Sequence, residues 1–166
     1  MRFDVRNFLK NGRTPYTAQF TADMKKMDFD GYSVADPVDI CFEAFNVQDG
    51  IEMHLQIQAQ VQSECARCLE PVTESYSFSR EYLIRERDLE DSDCELPLDA
   101  DGCMEIEVLA YQELIFEVPR VLLCTPDCKG LCPICGKKRA AGCTCQPAED
   151  AAPPDARLST LKQLLS

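Results

Sequence analysis

The stretch Ile51 to Gln62 alternates apolar and polar residues without a miss (Ile-Glu-Met-His-Leu-Gln-Ile-Gln-Ala-Gln-Val-Gln). A period of two belongs to a β-strand with one buried face. Ile51, Met53, Leu55, Ile57, Ala59 and Val61 are therefore expected to face a core. Asp49-Gly50 stands at its start and predicts a type I′ hairpin turn, in which both central residues take positive φ. The upstream partner is Val38 to Val47, with Val38, Ile40, Phe42 and Ala44 on one face. Downstream the strand meets Cys65-Ala-Arg-Cys68 and Pro71, then a second alternating run. In that run Val72, Tyr76, Phe78, Tyr82 and Ile84 share a face. Cys65 and Cys68 thus fall at the tip of a long antiparallel hairpin. Tyr16 to Ala22 reads as a further short strand, and Met27 to Pro37 as loops around a strand fragment. Residues 1–15 have no decisive period, and Asn11-Gly12 marks a turn.

The helical signal comes later. Glu107 to Glu117 places Val108, Tyr111 and Ile115 along one stripe, with Leu114 and Phe116 beside it. Glu105, Gln112 and Glu113 make a polar face, and Glu107 suits the positively polarised N-terminal end. Pro119 cannot continue the helix, because it lacks the N–H and its ring clashes with the preceding turn. Between strand and helix, Glu86 to Asp101 holds eight carboxylates and one basic residue. Mutual repulsion and little apolar surface predict a solvated loop there. Gln146 to Ala156 reads as a linker, and Leu158, Leu161, Leu164 and Leu165 recur at helical spacing. The expected class is α+β: an antiparallel β-sheet with long hairpins, one main helix, a cysteine-rich C-terminal segment and a short terminal helix. The expected organisation is a sheet domain over 1–119, a metal-binding segment over 120–146, and a linker with a short amphipathic helix over 147–166.

Eleven cysteines change the picture. Eight fall in close pairs: Cys65 and Cys68, Cys124 and Cys128, Cys132 and Cys135, Cys143 and Cys145. Thiolates suit zinc, and a structural zinc site takes four ligands in a closed tetrahedron. Eight ligands therefore make two sites, each built from cysteines alone. Cys132, Cys135, Cys143 and Cys145 can close one locally, and Cys65, Cys68, Cys124 and Cys128 then form the other. A rival grouping joins Cys65 and Cys68 to Cys132 and Cys135; a third arrangement binds one metal only. Cys41, Cys94 and Cys103 are expected to be unliganded. A redox dithiol should open a helix in a βαβ pattern, whereas Cys65 and Cys68 lie between antiparallel strands. Iron–sulfur spacings do not match.

The formal charge is −12, and its distribution is uneven. Residues 1–119 hold 10 basic and 25 acidic residues. Residues 120–146 hold Arg120, Lys129, Lys137, Lys138 and Arg139 against Asp127 alone. So acidic a body is a poor general binder of phosphate backbones. Lys129, Lys137, Lys138 and Arg139 have two readings, as local neutralisers of metal thiolates or as a small nucleic-acid contact. The one histidine, His54, lies on the outward polar face of the best strand. No phosphate loop, nucleophile elbow or open histidine metal site is present, so no enzymatic activity is expected. Met1 to Lys10 lacks a secretory pattern, and the chain has no apolar run of the ~18 residues a spanning helix needs. The cytoplasm is the expected compartment, where closely spaced cysteines bind metal more often than they pair.

Several segments together resemble one known family. They are Cys65-Ala-Arg-Cys68-Leu-Glu-Pro71, Glu105-Ile-Glu-Val-Leu109, Pro119 before Cys124, and Asp127-Cys-Lys-Gly-Leu-Cys-Pro-Ile-Cys-Gly136. Cys143-Thr-Cys145 and Arg157-Leu-Ser-Thr-Leu-Lys-Gln-Leu-Leu165 complete the set. In this order they are similar to the cysteine-rich branch of the bacterial YceD family. The resemblance implies a role in accumulation or processing of 23S ribosomal RNA and in large-subunit assembly. It implies no enzymatic activity. The expected partners are a ribosomal protein or another large-subunit assembly factor, with precursor 23S rRNA as a further candidate. A membrane and a small-molecule substrate are not expected. Other classes kept open are a direct RNA-binding zinc module and a thiol redox or zinc-sensing protein.

Overall fold

The computed structural model describes residues 1–89, 96–139 and 142–145. The chain divides into two compact units, Met1–Pro126 and Asp127–Ser166. The first unit runs β1 (Arg2–Asp4), α1 (Val5–Asn11), β2 (Tyr16–Ala22), β3 (Ser33–Val34), β4 (Val38–Val47), β5 (Gly50–Glu64) and β6 (Pro71–Ile84). A 3-10 turn at Glu86–Leu89, β7 (Cys103–Glu105) and α2 (Ile106–Glu117) follow. The class is α+β, with antiparallel sheets.

The long strand β5 is the axis of the main sheet. Along one edge it pairs with β4, from Asp39↔Gln58 to Val47↔Gly50, and farther on with the short β3. Along the other edge it pairs with β6 over its whole length, from Ile51↔Ile84 to Glu64↔Pro71. β2 adds outside β4. The alternation in the sequence is obeyed: Ile51, Met53, Leu55, Ile57 and Val61 are fully buried, as are Val38 and Phe42. Rings tie the N-terminus to this face. Phe3 packs against Phe42 at 5.1 Å, Tyr16 at 4.9 Å and Phe8 at 5.3 Å between centroids.

Four sequence expectations change. The β4–β5 loop is Gln48-Asp49, because Val47 pairs with Gly50. Neither loop residue has positive φ, so the type I′ turn is not formed. Gly50 begins β5 at φ 157, where a Cβ would lie 2.1 Å from the Ile84 carbonyl oxygen. It serves a close backbone approach.

The second change concerns α2. Its buried residues are Ile106, Leu109, Ala110 and Leu114. Val108 and Tyr111 are half-buried, while Ile115 and Phe116 are exposed. The helix is apolar on most sides, so periodicity could not select the core-facing stripe.

Third, residues 1–15 are ordered. Phe3 pairs with Met104 in a small β1–β7 sheet, and the Asp4 side chain accepts from the Asn7 N–H to cap α1. Strands this short leave no readable period.

Fourth, the described part of the acidic loop is solvated at Glu86, Arg87 and Asp99 to Asp101 but is anchored at specific points. Leu96 is buried, and Asp99 accepts from the Cys103 and Asp101 amides and from Arg2 at 2.7 Å. The Cys103 amide and then Arg2 hold the Asp99 carboxyl below its usual range, against a desolvation penalty. Cys94, the expected linker over 146–156 and the expected terminal helix lie outside the described residues. Among the described residues, no helix is long and apolar enough to cross a membrane.

Candidate metal centres

The β5–β6 hairpin closes through Cys65-Ala-Arg-Cys68. The Leu69 N–H donates to the Cys65 carbonyl at 2.9 Å, and the Cys65 N–H to the Glu70 carbonyl at 2.7 Å. Leu69 takes φ 61, the one positive value among the described non-glycine residues. In the second unit, Cys132-Pro-Ile-Cys135 repeats this turn bond for bond. The Gly136 N–H donates to the Cys132 carbonyl at 2.8 Å, the Cys132 N–H to the Lys137 carbonyl at 2.7 Å, and Gly136 takes φ 69. The residue after each second cysteine must therefore be left-handed. Glycine does this without strain; leucine does so at a steric cost.

This equivalence gives a prediction. Leu69 is 60% exposed, so trimming it loses little burial. Leu69→Gly should raise stability by roughly 0.5–1 kcal/mol, the left-handed cost less the added chain entropy of glycine. A Cβ at Gly136 would meet nothing within 4 Å. Gly136→Leu should thus cost roughly 1–2 kcal/mol through backbone strain alone. Urea unfolding at fixed metal loading reads both, and a loss in Leu69→Gly would contradict the argument.

The segment after α2 brings further thiols. Val118 and Leu122 are buried in the core of the first unit and hold the chain against the sheet. The Ala66 N–H donates to the Leu122 carbonyl at 3.0 Å, which places Cys124 beside the hairpin tip. Cys68 Sγ and Cys124 Sγ are 3.6 Å apart. Cys65, Cys68, Cys124 and Cys128 form one group of sulfurs within 4.8 Å of one another. Cys132, Cys135, Cys143 and Cys145 form a second, with Cys135 Sγ and Cys143 Sγ at 3.5 Å. Of the groupings open to the sequence, these two are the ones the fold brings together.

Both quartets could hold metal ions, and they fit a tetrathiolate site. Bonds of about 2.3 Å in a tetrahedron require sulfurs about 3.8 Å apart. The amides are also placed for thiolates. The Cys65 thiol is lowered to about 6, chiefly by the Cys124 amide and then by those of Arg67 and Cys68, against burial. The Cys132 thiol is lowered to about 6 by the amides of Cys135 and Ile134. The Ile134 N–H lies 3.4 Å from Cys132 Sγ. Without a cation the remaining thiols must share protons. Cys145 is pushed up to about 12 by Cys143 and Cys135. At Cys143 the Cys145 amide pulls downward, but Cys132 and Cys135 leave the thiol raised. A dication would offset that mutual repulsion.

The profile described as "Large ribosomal RNA subunit accumulation protein YceD" matches residues 53–165, most of the chain. The chain belongs to the YceD family. The match spans both cysteine quartets. Uncharacterized proteins of Mycobacterium tuberculosis and Mycobacterium bovis are each 30% identical over 107 residues. The alignment covers 60% of this chain and 50% of each relative, so the chain spans about half the length of the curated relatives it matches. No solved structure matches the chain.

The other sequence-selected residues are placed as follows. Lys129, Lys137 and Arg139 are exposed, and Lys138 is half-buried in a bridge with Leu131. Cys41 is half-buried on β4 and Cys103 is buried on β7; neither belongs to a quartet. His54 is half-buried, with Nε2 2.9 Å from Glu52 Oε1 and its ring 5.6 Å from that of Phe45. Sequence reasoning did not find the left-handed Leu69 or the Ala66–Leu122 bond. The first had a signal in the C-x-x-C-x spacing shared with Cys132 to Gly136. The second joins backbone groups and leaves no trace in side-chain chemistry.

Proposed function

We propose that this YceD-family protein is a non-enzymatic factor for 23S rRNA accumulation and processing and for large-subunit assembly, working in the cytoplasm by binding protein. In this reading the two quartets hold structural Zn2+. The observation that carries it is the composition of the quartets. Each supplies four thiols, which fills a zinc coordination sphere and leaves no position for a substrate or an activated water. The acidic body supports a basic partner, since opposite charge speeds encounter and rejects acidic competitors. A ribosomal protein or basic assembly factor has that chemistry.

A direct rRNA contact is the second reading, favoured by the exposure of Lys129, Lys137 and Arg139. The thiol-sensor reading has less support. The two thiols lowered to about 6, Cys65 and Cys132, are both buried, where an oxidant has poor access.

The test is a pull-down with the intact protein at low and high salt. Large-subunit ribosomal proteins or assembly factors should be retained at low salt and largely lost at high salt. Precursor rRNA captured without protein, with a steep salt dependence, would favour the second reading. Recovery of neither class at low salt would sink the proposal.

A further inference from the structure

Among the described residues, β6 leaves a long edge open. Among the described residues its strand partner is β5, and all fourteen residues pair in one continuous register. The direction of its backbone groups follows from the hairpin tip. The Cys65 N–H donates to the Glu70 carbonyl, and hydrogen-bonded pairs alternate along an antiparallel ladder. Val72, Glu74, Tyr76, Phe78, Arg80 and Tyr82 therefore turn their amides toward β5. Thr73, Ser75, Ser77, Ser79, Glu81 and Leu83 turn theirs outward. Pro71 falls in the outward set, where its missing N–H breaks no ladder bond.

Natural sheets guard such edges with charged side chains, lysine above all, internal prolines, bulges or short length, and of these β6 has the charges of Glu74, Arg80 and Glu81. β2, at the other side of the sheet, is seven residues long. β6 has no lysine and no bulge, and its one proline is its first residue. One outward carbonyl is engaged: Arg80 Nη1 donates to Ser79 O at 3.2 Å.

A second feature adjoins this edge. Tyr82 of β6 lines a groove of about 530 Å³ with Gln112, Glu113, Ile115 and Phe116 of α2. Phe116 is 80% exposed, and Leu83 and Ile115 are also open. An open ladder beside an apolar groove is the arrangement that takes an added strand, the ladder giving affinity and the groove selecting alternate side chains. Charge selects the occupant. Glu74 and Glu81 on β6 and Glu113 and Glu117 on α2 leave this side net negative, since the one cation among them, Arg80, already bonds Glu113 at 2.9 Å and Glu117 at 2.6 Å. A second copy would bring the same negative surface.

We propose that the outer edge of β6 binds an extended basic segment of a partner protein as an added strand, with apolar residues alternating with lysine or arginine. The apolar set lies toward Tyr82, Ile115 and Phe116, and the basic set toward Ser75, Ser77, Ser79 and Glu81. This rests on the reading that the protein works by binding a basic protein, and names the surface and the mode.

The probe is a short fluorescent peptide alternating lysine and valine, titrated onto the full chain by anisotropy. Two isomers of equal charge carry N-methyl groups on all lysine amides or on all valine amides. Strand addition uses one set of amides, so one isomer should bind about tenfold more weakly while the other keeps its affinity. The sensitive set reports the strand direction. Phe116→Ser, at an exposed site, should weaken binding several-fold, and Ser77→Pro should weaken it about tenfold with the thermal midpoint monitored. Equal binding of both isomers means attraction by charge alone and overturns the proposal. So does a chain dimer that Ser77→Pro converts to monomer, because a second copy then covers the edge. The assay involves no ribosomal component, so it fails or succeeds independently of the pull-down.

Discussion

Chelating zinc from the two proposed sites is expected to lower the thermal midpoint by roughly 10 °C per site, with loosening first at the β5–β6 tip. A ligand held at 1,000 times its dissociation constant adds about 4 kcal/mol to the folded state. For a chain of this size each kcal/mol moves the midpoint by roughly 2–4 °C. Once the ion is gone, Cys65 and Cys68 at the tip lose the ligand they would share with Cys124 and Cys128. The bond from the Ala66 N–H to the Leu122 carbonyl is then less constrained and opens more often. Hydrogen exchange at Ala66 should accelerate on chelation, while Leu55 and Ile57, deep in the sheet, keep their protection.

Single variants separate the sites. Cys68→Ser should remove one zinc ion of two and accelerate exchange at Ala66. Cys135→Ser should remove the other and leave Ala66 unchanged. Elemental analysis of the untagged protein should find close to two zinc ions, matching the two quartets. Loss of both ions in either variant, or an unchanged Ala66 in Cys68→Ser, would falsify the two-site description.

Gly50→Ala is expected to cost about 3 kcal/mol, through overpacking against a rigid neighbour and backbone strain. The new Cβ would lie 2.1 Å from Ile84 O, 2.9 Å from Ile84 C and 3.2 Å from Arg85 Cα. All three are backbone atoms, so no side chain can rotate away. The end of β6 would have to shift, and with it the pairing of Ile51 with Ile84. Asp49→Ala makes the control, since that residue lacks positive φ and should change stability by less than about 1 kcal/mol. Urea midpoints measure both. A cost under about 1 kcal/mol in Gly50→Ala would show that the two strand ends are not held together.

These two residues show how differently parts of the fold could be read. Gly50 was legible as a glycine that mattered, but its apparent partner was Asp49 in a turn. Its actual partner is Ile84, thirty-four positions away in the chain. On α2, the stripe of Val108, Tyr111 and Ile115 was as good a core face as Ile106, Leu109 and Leu114, because apolar residues occur on both. Only the sheet beneath the helix separates them. Asp99 looked like one of many solvated acids and is held by two amides and Arg2.

By itself the sequence determined the strands whose faces meet different solvents. Tyr16–Ala22 and Val38–Val47 appear with the boundaries read from their pattern, and β5 extends the perfect alternation of Ile51 to Gln62. It also determined the local chemistry of the cysteine turns, because C-x-x-C spacing constrains a backbone over a handful of residues. Tertiary structure alone decided which turn meets which thiol, which side of α2 is buried, and that, among the described residues, β6 keeps an open edge beside an apolar groove. Periodicity and spacing are properties of neighbours along the chain. Closure of a quartet or a groove depends on contacts between distant segments, and several cysteine pairings satisfy the same spacings until Val118 and Leu122 anchor Cys124 beside the tip.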